Sequence, residues 1–302
     1  MKIVNKNLKK TFSVRFFAGG TLVNERVPAF FLLKFLYFSR IGKIVRFFLT
    51  GRWLSKLYGF YQDSRLSARN IKAFVQKHEI NMSDFERPID QYKSFNDFFT
   101  RKLKVGARSI DMRPEVVVAP ADSKVFAVSN LSLDDTFLVK NKRFNLERFL
   151  GSKQLAQSYQ DGCCMVFRLA PPDYHRFHFC VSCVPAPARI IAGKYESVNP
   201  VAYAAGVQSL IENERHIIEL KKTPFGDILM VPVGALFVGR IVETYKADIL
   251  YEKGTEAGYF ACGGSTIVLL FKKGQVTVRS DIYANSLSGF ETAVKCGQII
   301  TL

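Results

Sequence analysis

The stretch Gly263-Gly264-Ser265-Thr266-Ile267-Val268-Leu269-Leu270-Phe271 decides how the rest of the chain is read. From Thr266 onward it is an apolar run that reads as a buried strand. The two glycines ahead of it give the backbone unusual freedom and let another group approach closely. Ser265, between the glycines and the strand, is either a turn residue or a nucleophile, and turn preferences alone favour the first.

Comparable runs lie upstream: Val116-Val117-Val118, Lys124-Val125-Phe126-Ala127-Val128, Met165-Val166-Phe167-Arg168-Leu169 and Ile228-Leu229-Met230-Val231-Pro232-Val233. Gly, Pro, Asn and Asp separate them, which predicts a β-rich domain over residues 112–302, interrupted by a helix near Leu146 to Gln157. From Ser64 to Arg101 the pattern is helical, with a start at Asn81-Met82-Ser83-Asp84 and an N-cap at Ser94 with Asp97 three residues on. Lys102 to Pro114, rich in charge and turn formers, reads as a linker. The expected fold class is α+β: an N-terminal extension over 1–26, a helical membrane-associating region over 27–111 and a β-rich catalytic domain over 112–302.

A hydrophobic content of 48% in 302 residues excludes a disordered chain. Lysine and arginine outnumber acids by 43 to 26, so the partner is an anionic surface. Nucleic acid and acidic lipid both qualify on charge alone, and the segment Val27 to Gln62 favours contact with a membrane. That segment holds eleven aromatic residues and no acid. Lys34, Arg40, Lys43 and Arg46 interrupt it too often for a membrane span, which needs about 20 mostly apolar residues. In helical projection Tyr37, Phe38, Ile41, Ile44, Val45 and Phe48 share a face, opposite Ser39, Arg40, Lys43 and Arg46. A basic helix with an aromatic face suits the interface of an anionic bilayer, and its alternative is packing on the protein's own core. The first 26 residues show no apolar signal core, which fits a cytoplasmic start or an organellar transit peptide.

Six cysteines lie at 163, 164, 180, 183, 262 and 296. Cys180 and Cys183 have CxxC spacing with no second pair at zinc-ribbon distance, which predicts free thiols in a reducing compartment and no metal.

Three stretches can carry chemistry. Asp122 lies in the turn Ala119-Pro120-Ala121-Asp122-Ser123, where an Asx-turn is the plainer reading. His175 and His178 lie in Asp173-Tyr174-His175-Arg176-Phe177-His178, facing apart on a strand but able to converge on a turn. His78 and His216 sit among charges and are expected at the surface. With Ser265 these residues suggest nucleophilic catalysis, an acid orienting an imidazole that takes a serine proton. No Gly-x-Ser-x-Gly elbow and no HExxH pattern is present.

In order, Ser94-Phe95-Asn96-Asp97-Phe98-Phe99, Arg101-Lys102-Leu103, Pro120-Ala121-Asp122, Asp173-Tyr174-His175-Arg176-Phe177-His178, Val231-Pro232-Val233-Gly234-Ala235, Val238-Gly239, Lys253-Gly254-Thr255-Glu256-Ala257-Gly258-Tyr259-Phe260 and Gly263-Gly264-Ser265-Thr266 form a specific set. Over residues 60–300 the chain resembles the prokaryotic-type phosphatidylserine decarboxylases. Gly263 stands where the commonest family pattern has leucine, which marks a subgroup and leaves the scissile Gly264-Ser265 bond intact.

The resemblance implies that His178, oriented by Asp122, deprotonates Ser265, whose oxygen attacks the Gly264 carbonyl. Elimination and hydrolysis then leave a β chain over 1–264 and an α chain over 265–302 that begins with a covalent pyruvoyl group. That cofactor forms a Schiff base with phosphatidylserine and releases CO2 to give phosphatidylethanolamine. His175 is the candidate proton donor, and Arg176 either assists an anionic substrate or is structural. Further implications are a homodimer, no nucleic-acid partner, and a peripheral position on the cytoplasmic side of the cell membrane, or on an organellar inner membrane in a eukaryote. The rival readings are a membrane-associated serine or metal-dependent hydrolase without self-processing, and a basic scaffold without enzymatic activity.

Overall fold

A computed structural model of the chain describes residues 14–25, 27, 29–135, 144–236, 240–261, 263 and 265–302, without the side chains of 52–56, 134 and 135. Cys262, Gly264, Val238 and Gly239 therefore lie outside the described residues, as does most of the stretch 1–26.

A hairpin of β1 (Val14–Ala18) and β2 (Thr21–Glu25) comes first, followed by helices α1 (Phe30–Phe38), α2 (Arg40–Leu49), α3 (Arg52–Asp63), α4 (Ile71–His78) and α5 (Phe95–Phe99). Then come β3 (Ser123–Val128), β4 (Asp134–Asp135), β5 (Phe144–Asn145), α6 (Leu146–Leu150), α7 (Lys153–Tyr159), β6 (Cys163–Leu169), β7 (Arg176–His178), β8 (Val184–Pro185) and β9 (Arg189–Ile191). The chain closes with α8 (Pro200–Ala204), α9 (Ser209–Glu212), β10 (Arg215–Lys221), β11 (Ile228–Val233), β12 (Arg240–Glu243), β13 (Glu256–Ala261), β14 (Ser265–Phe271), α10 (Ser280–Leu287) and β15 (Glu291–Val294).

Among the described residues one large sheet runs in the order β2-β1-β15-β3-β6-β14-β11-β10, with β8 and β9 both paired to β10. Among the described strand pairs, β1 and β15 alone run parallel. A second sheet, β12-β13-β7, shares a core with the first through Ile241, Phe260 and Phe177.

The quoted run becomes β14, buried throughout and flanked by β6 and β11. Alternation sends Ile267, Leu269 and Phe271 into a core with Phe177 and Phe260, and Val268 and Leu270 into another with Phe149, Leu150 and Tyr159. A strand covered on both faces has no polar side to show, which is why its sequence does not alternate. Each such side chain contributes about 1.5–3 kcal/mol by leaving water.

The α+β class stands, with three local differences. Residues 14–25, read from the sequence as part of an extension, supply two strands of the sheet. Glu25 ties them in through Arg168, which also grips Glu291 at 2.5 and 2.9 Å. The helix expected near Leu146 to Gln157 is two, because Gly151 turns left-handed at φ 61° between them. Val116-Val117-Val118 forms a single bridge, Val118 to Ile299, instead of a strand.

The basic aromatic segment is also broken. Ser39 is extended and caps α2, its hydroxyl accepting from the Gly42 amide at 2.8 Å. A Cβ at Gly42 would lie 1.9 Å from the Phe35 carbonyl oxygen, so glycine lets α1 and α2 cross closely. Tyr37 leaves the expected exposed face: it is buried, donates to Glu196 at 2.9 Å and accepts from the Ser197 amide at 2.8 Å. Ile41, Ile44 and Phe48 are 61–68% exposed, with Phe47 beside them at 70%. No described helix is long and apolar enough to cross a membrane.

Candidate active site

Ser265 opens β14 opposite Leu169 of β6, and its side chain is wholly buried. Its hydroxyl has no hydrogen-bond partner among the described residues, and the Thr266 hydroxyl has none either. A buried hydroxyl left unpaired costs about 1–3 kcal/mol, so its retention asks for a chemical reason. Gly263, two residues before, holds φ at 124°, where a residue with a side chain would be strained.

His175 lies against this turn, fully buried at the entry to β7. Its Nδ1 donates to the Asp173 carbonyl at 2.8 Å, which leaves Nε2 bare. Nε2 completes no hydrogen bond with a described residue, although the Gly263 backbone adjoins the ring. Phe99 covers the ring at a centroid distance of 4.0 Å. Burial, and after it the Arg101 charge, lower the His175 pKa to about 3, so the imidazole is neutral at ordinary pH.

His178, at the end of β7, is held differently. Its Nδ1 donates to the Gly254 carbonyl at 2.9 Å, and its Nε2 accepts from the Tyr174 hydroxyl at 3.1 Å. Burial lowers its pKa, partly offset by the Gly254 carbonyl. Asp122 is bound by Arg108, through Nε at 3.0 Å and Nη2 at 2.7 Å, by Lys295 at 3.1 Å and by the Cys296 amide at 2.9 Å. Burial works to raise its pKa, and Arg108 and Lys295 more than offset this and leave it lowered.

Thus Asp122 and His178 are neighbours through the backbone, His178 donating to the Pro120 carbonyl at 2.8 Å, while their side chains bond other groups. Of the two histidines, His175 is the one placed beside Gly263. Arg176 is engaged by Glu256 at 2.9 Å and by the Thr100 carbonyl at 2.9 Å. His216, expected at the surface, is buried and bonded to Glu243, because β10 runs inside the sheet. Among the described residues no cluster could hold a metal ion, and Cys163, Cys180, Cys183 and Cys296 are free thiols.

A cavity of about 470 Å³ reaches Gly263. Leu33 and Leu36 of α1, Phe74 of α4, Phe95 and Phe99 of α5, and Arg168 and Leu169 of β6 line it. That size and apolar lining suit a small ligand or part of a lipid. The unpaired Ser265 hydroxyl, the positive-φ turn at Gly263, the bare His175 nitrogen and an apolar cavity reaching Gly263 fit a pyruvoyl group made from Ser265.

The family described as phosphatidylserine decarboxylase matches residues 95–301. Over 280 residues the chain is 43% identical to a phosphatidylserine decarboxylase proenzyme of Fusobacterium nucleatum, covering 92% of this chain and 93% of that protein. Proenzymes of the same name from Clostridium tetani and Chlamydia caviae are 41% identical over 276 residues and 42% over 267; the pairings cover 91% and 88% of this chain and 93% and 89% of theirs. The chain belongs to the phosphatidylserine decarboxylase family. In this decarboxylase-family chain the sequence motifs singled out Asp122, His175, His178 and Ser265 as candidates but not the residues that hold them. Arg108 lies in the apparent linker, and Tyr174 was quoted only as part of a motif. Both act through tertiary contacts that residue spacing does not reveal.

Proposed function

We propose that this chain is a phosphatidylserine decarboxylase precursor that cuts itself before Ser265 and acts at a membrane surface. Family membership supports the activity, and the observation that carries the site is the buried, unpaired Ser265 hydroxyl two residues after Gly263, which lines the cavity. His178 takes the Ser265 proton, the Ser265 oxygen bonds to the Gly264 carbonyl carbon, and the amide between them breaks to give an ester. For this, the His178 Nε2 must exchange its Tyr174 partner for Ser265. Loss of the α-proton then breaks the ester bond, leaving a carboxylate at Gly264 and dehydroalanine at 265. Water replaces its nitrogen, which leaves as ammonia.

A pyruvoyl group at 265 supplies a carbonyl for the substrate amine and a sink for the electrons left as CO2 departs. His175 Nε2, bare in the resting site, takes up a proton and returns it to the carbon that CO2 has left. Phe99 and the apolar cavity walls keep water from competing for that carbon. The exposed Ile41, Ile44, Phe47 and Phe48, next to Arg40 and Lys43, support docking on an anionic bilayer. The homodimer and the cytoplasmic face of the membrane rest on the family resemblance.

The test is intact mass of purified protein. Wild type should give two chains split at Gly264/Ser265, the 38-residue one blocked at its N-terminus. Ser265→Ala, Asp122→Asn and His178→Ala should each stay whole. An uncut, active wild type would instead favour an ordinary serine hydrolase, and normal cutting by His178→Ala would remove His178 from processing.

A further inference from the structure

Arg101 is the largest of the fully buried side chains, 1% exposed, and it has no carboxylate partner among the described residues. Its guanidinium donates to backbone carbonyls only: Nη2 to Pro172 at 2.8 Å and Asp173 at 3.1 Å, and Nη1 to Phe98 at 3.5 Å. The rings of Phe85 and Phe98 lie 4.5 and 4.7 Å from it. A cation buried without a counter-ion is expensive, and a neutral amide could serve those carbonyls at less cost. The charge is therefore kept for something it acts on.

One titratable group its charge acts on, and with which it shares a hydrogen-bond acceptor, is His175. The Asp173 carbonyl that accepts from Arg101 also accepts from His175 Nδ1 at 2.8 Å. A carbonyl oxygen has two lone pairs and can take both donors, but it can only accept, so Nδ1 carries the proton. Phe99, two residues before Arg101, closes over the same ring. The Asp173 carboxylate is occupied elsewhere, by Lys124 at 2.7 Å and the Ala170 amide at 2.7 Å.

We infer that Arg101 is a positioning residue for His175: through the Asp173 carbonyl it fixes the ring with Nε2 bare beside Gly263, and its charge primes the ring to release any proton Nε2 takes up. The inference rests on the reading of His175 as the group that returns a proton to substrate carbon. Besides burial, the charges acting on His175 are Arg101 and, more weakly, Lys124, both opposing protonation. The Asp173 and Gly263 backbones oppose them.

Full-length Arg101→Met, Arg101→Lys and His175→Gln, allowed to process, are assayed on phosphatidylserine in detergent micelles across pH. All three should be cut, because processing is assigned to other residues. His175→Gln should lose about a hundredfold or more in kcat. Arg101→Met should lose kcat with KM held within about twofold, and its acid limb should rise by about one pH unit. Arg101→Lys, restoring the charge, should return the limb towards wild type. An Arg101→Met profile that superimposes on wild type overturns the inference. If Arg101→Met fails to fold, 15N resonances of the His175 ring in uncut Ser265→Ala decide: a bare Nε2 supports the inference and a protonated Nε2 overturns it. Full activity in His175→Gln would defeat the underlying reading of His175, whereas an inactive His175→Gln with an unshifted Arg101→Met defeats only the role of Arg101.

Discussion

His175 remains neutral in the folded chain down to about pH 3, whereas in the unfolded chain it protonates near 6.5. Across that interval the unfolded state binds more protons, so stability rises with pH and is lost as pH falls from 6.5 towards 3. His178, also lowered by burial, adds in the same direction. For His175 alone the loss between pH 7 and pH 5 is about 2 kcal/mol. Urea unfolding of uncut Ser265→Ala at the two pH values should show it, and His175→Phe should flatten the dependence. A midpoint equally steep in pH without His175 would sink the attribution. At this scale much of the site was legible in the sequence, because Asp-Tyr-His-Arg-Phe-His and Gly-Gly-Ser-Thr name their own chemistry. What was not legible is which side chain bonds which. Asp122 meets Arg108 and Lys295, and His178 meets Tyr174, through contacts that exist only once distant segments have packed.

The helices between residues 30 and 63 show the opposite balance. Their amphipathic character was legible, but the break at Ser39 was not, because a serine on the polar face of a continuous helix and a serine capping a new one look alike in projection. Tyr37 left its expected face for the same reason, turning inward to Glu196 and Ser197. Deleting residues 27–62 would therefore remove Leu33 and Leu36 from the cavity wall along with the exposed face. A cleaner test replaces Ile44, Phe47 and Phe48 together by serine. These side chains are exposed, so the melting temperature should hold, while flotation with phosphatidylserine-containing vesicles should weaken by about a hundredfold or more. Unchanged flotation would mean that these helices do not dock on lipid.

Over the whole molecule, the proposed cut separates elements that the sheet keeps together. The fragment 265–302 would carry β14, α10 and β15. β14 lies between β6 and β11, and β15 between β1 and β3, so the smaller chain is woven into the larger at two places. Glu291 adds a buried link to Arg168. The two chains should stay together through size exclusion in high salt and part only in denaturant; release of the small chain under native conditions would contradict this register. This placement also changes the molecularity of folding. The uncut chain finds its sheet as one molecule, at a rate independent of concentration. Once cut and unfolded, it becomes two solutes that must meet, and the small one must enter a gap flanked on both sides. Renaturation of the mature protein should then depend on concentration and fall far short of the precursor's, so the folded form of the working enzyme is inherited from its single-chain past and is not found anew.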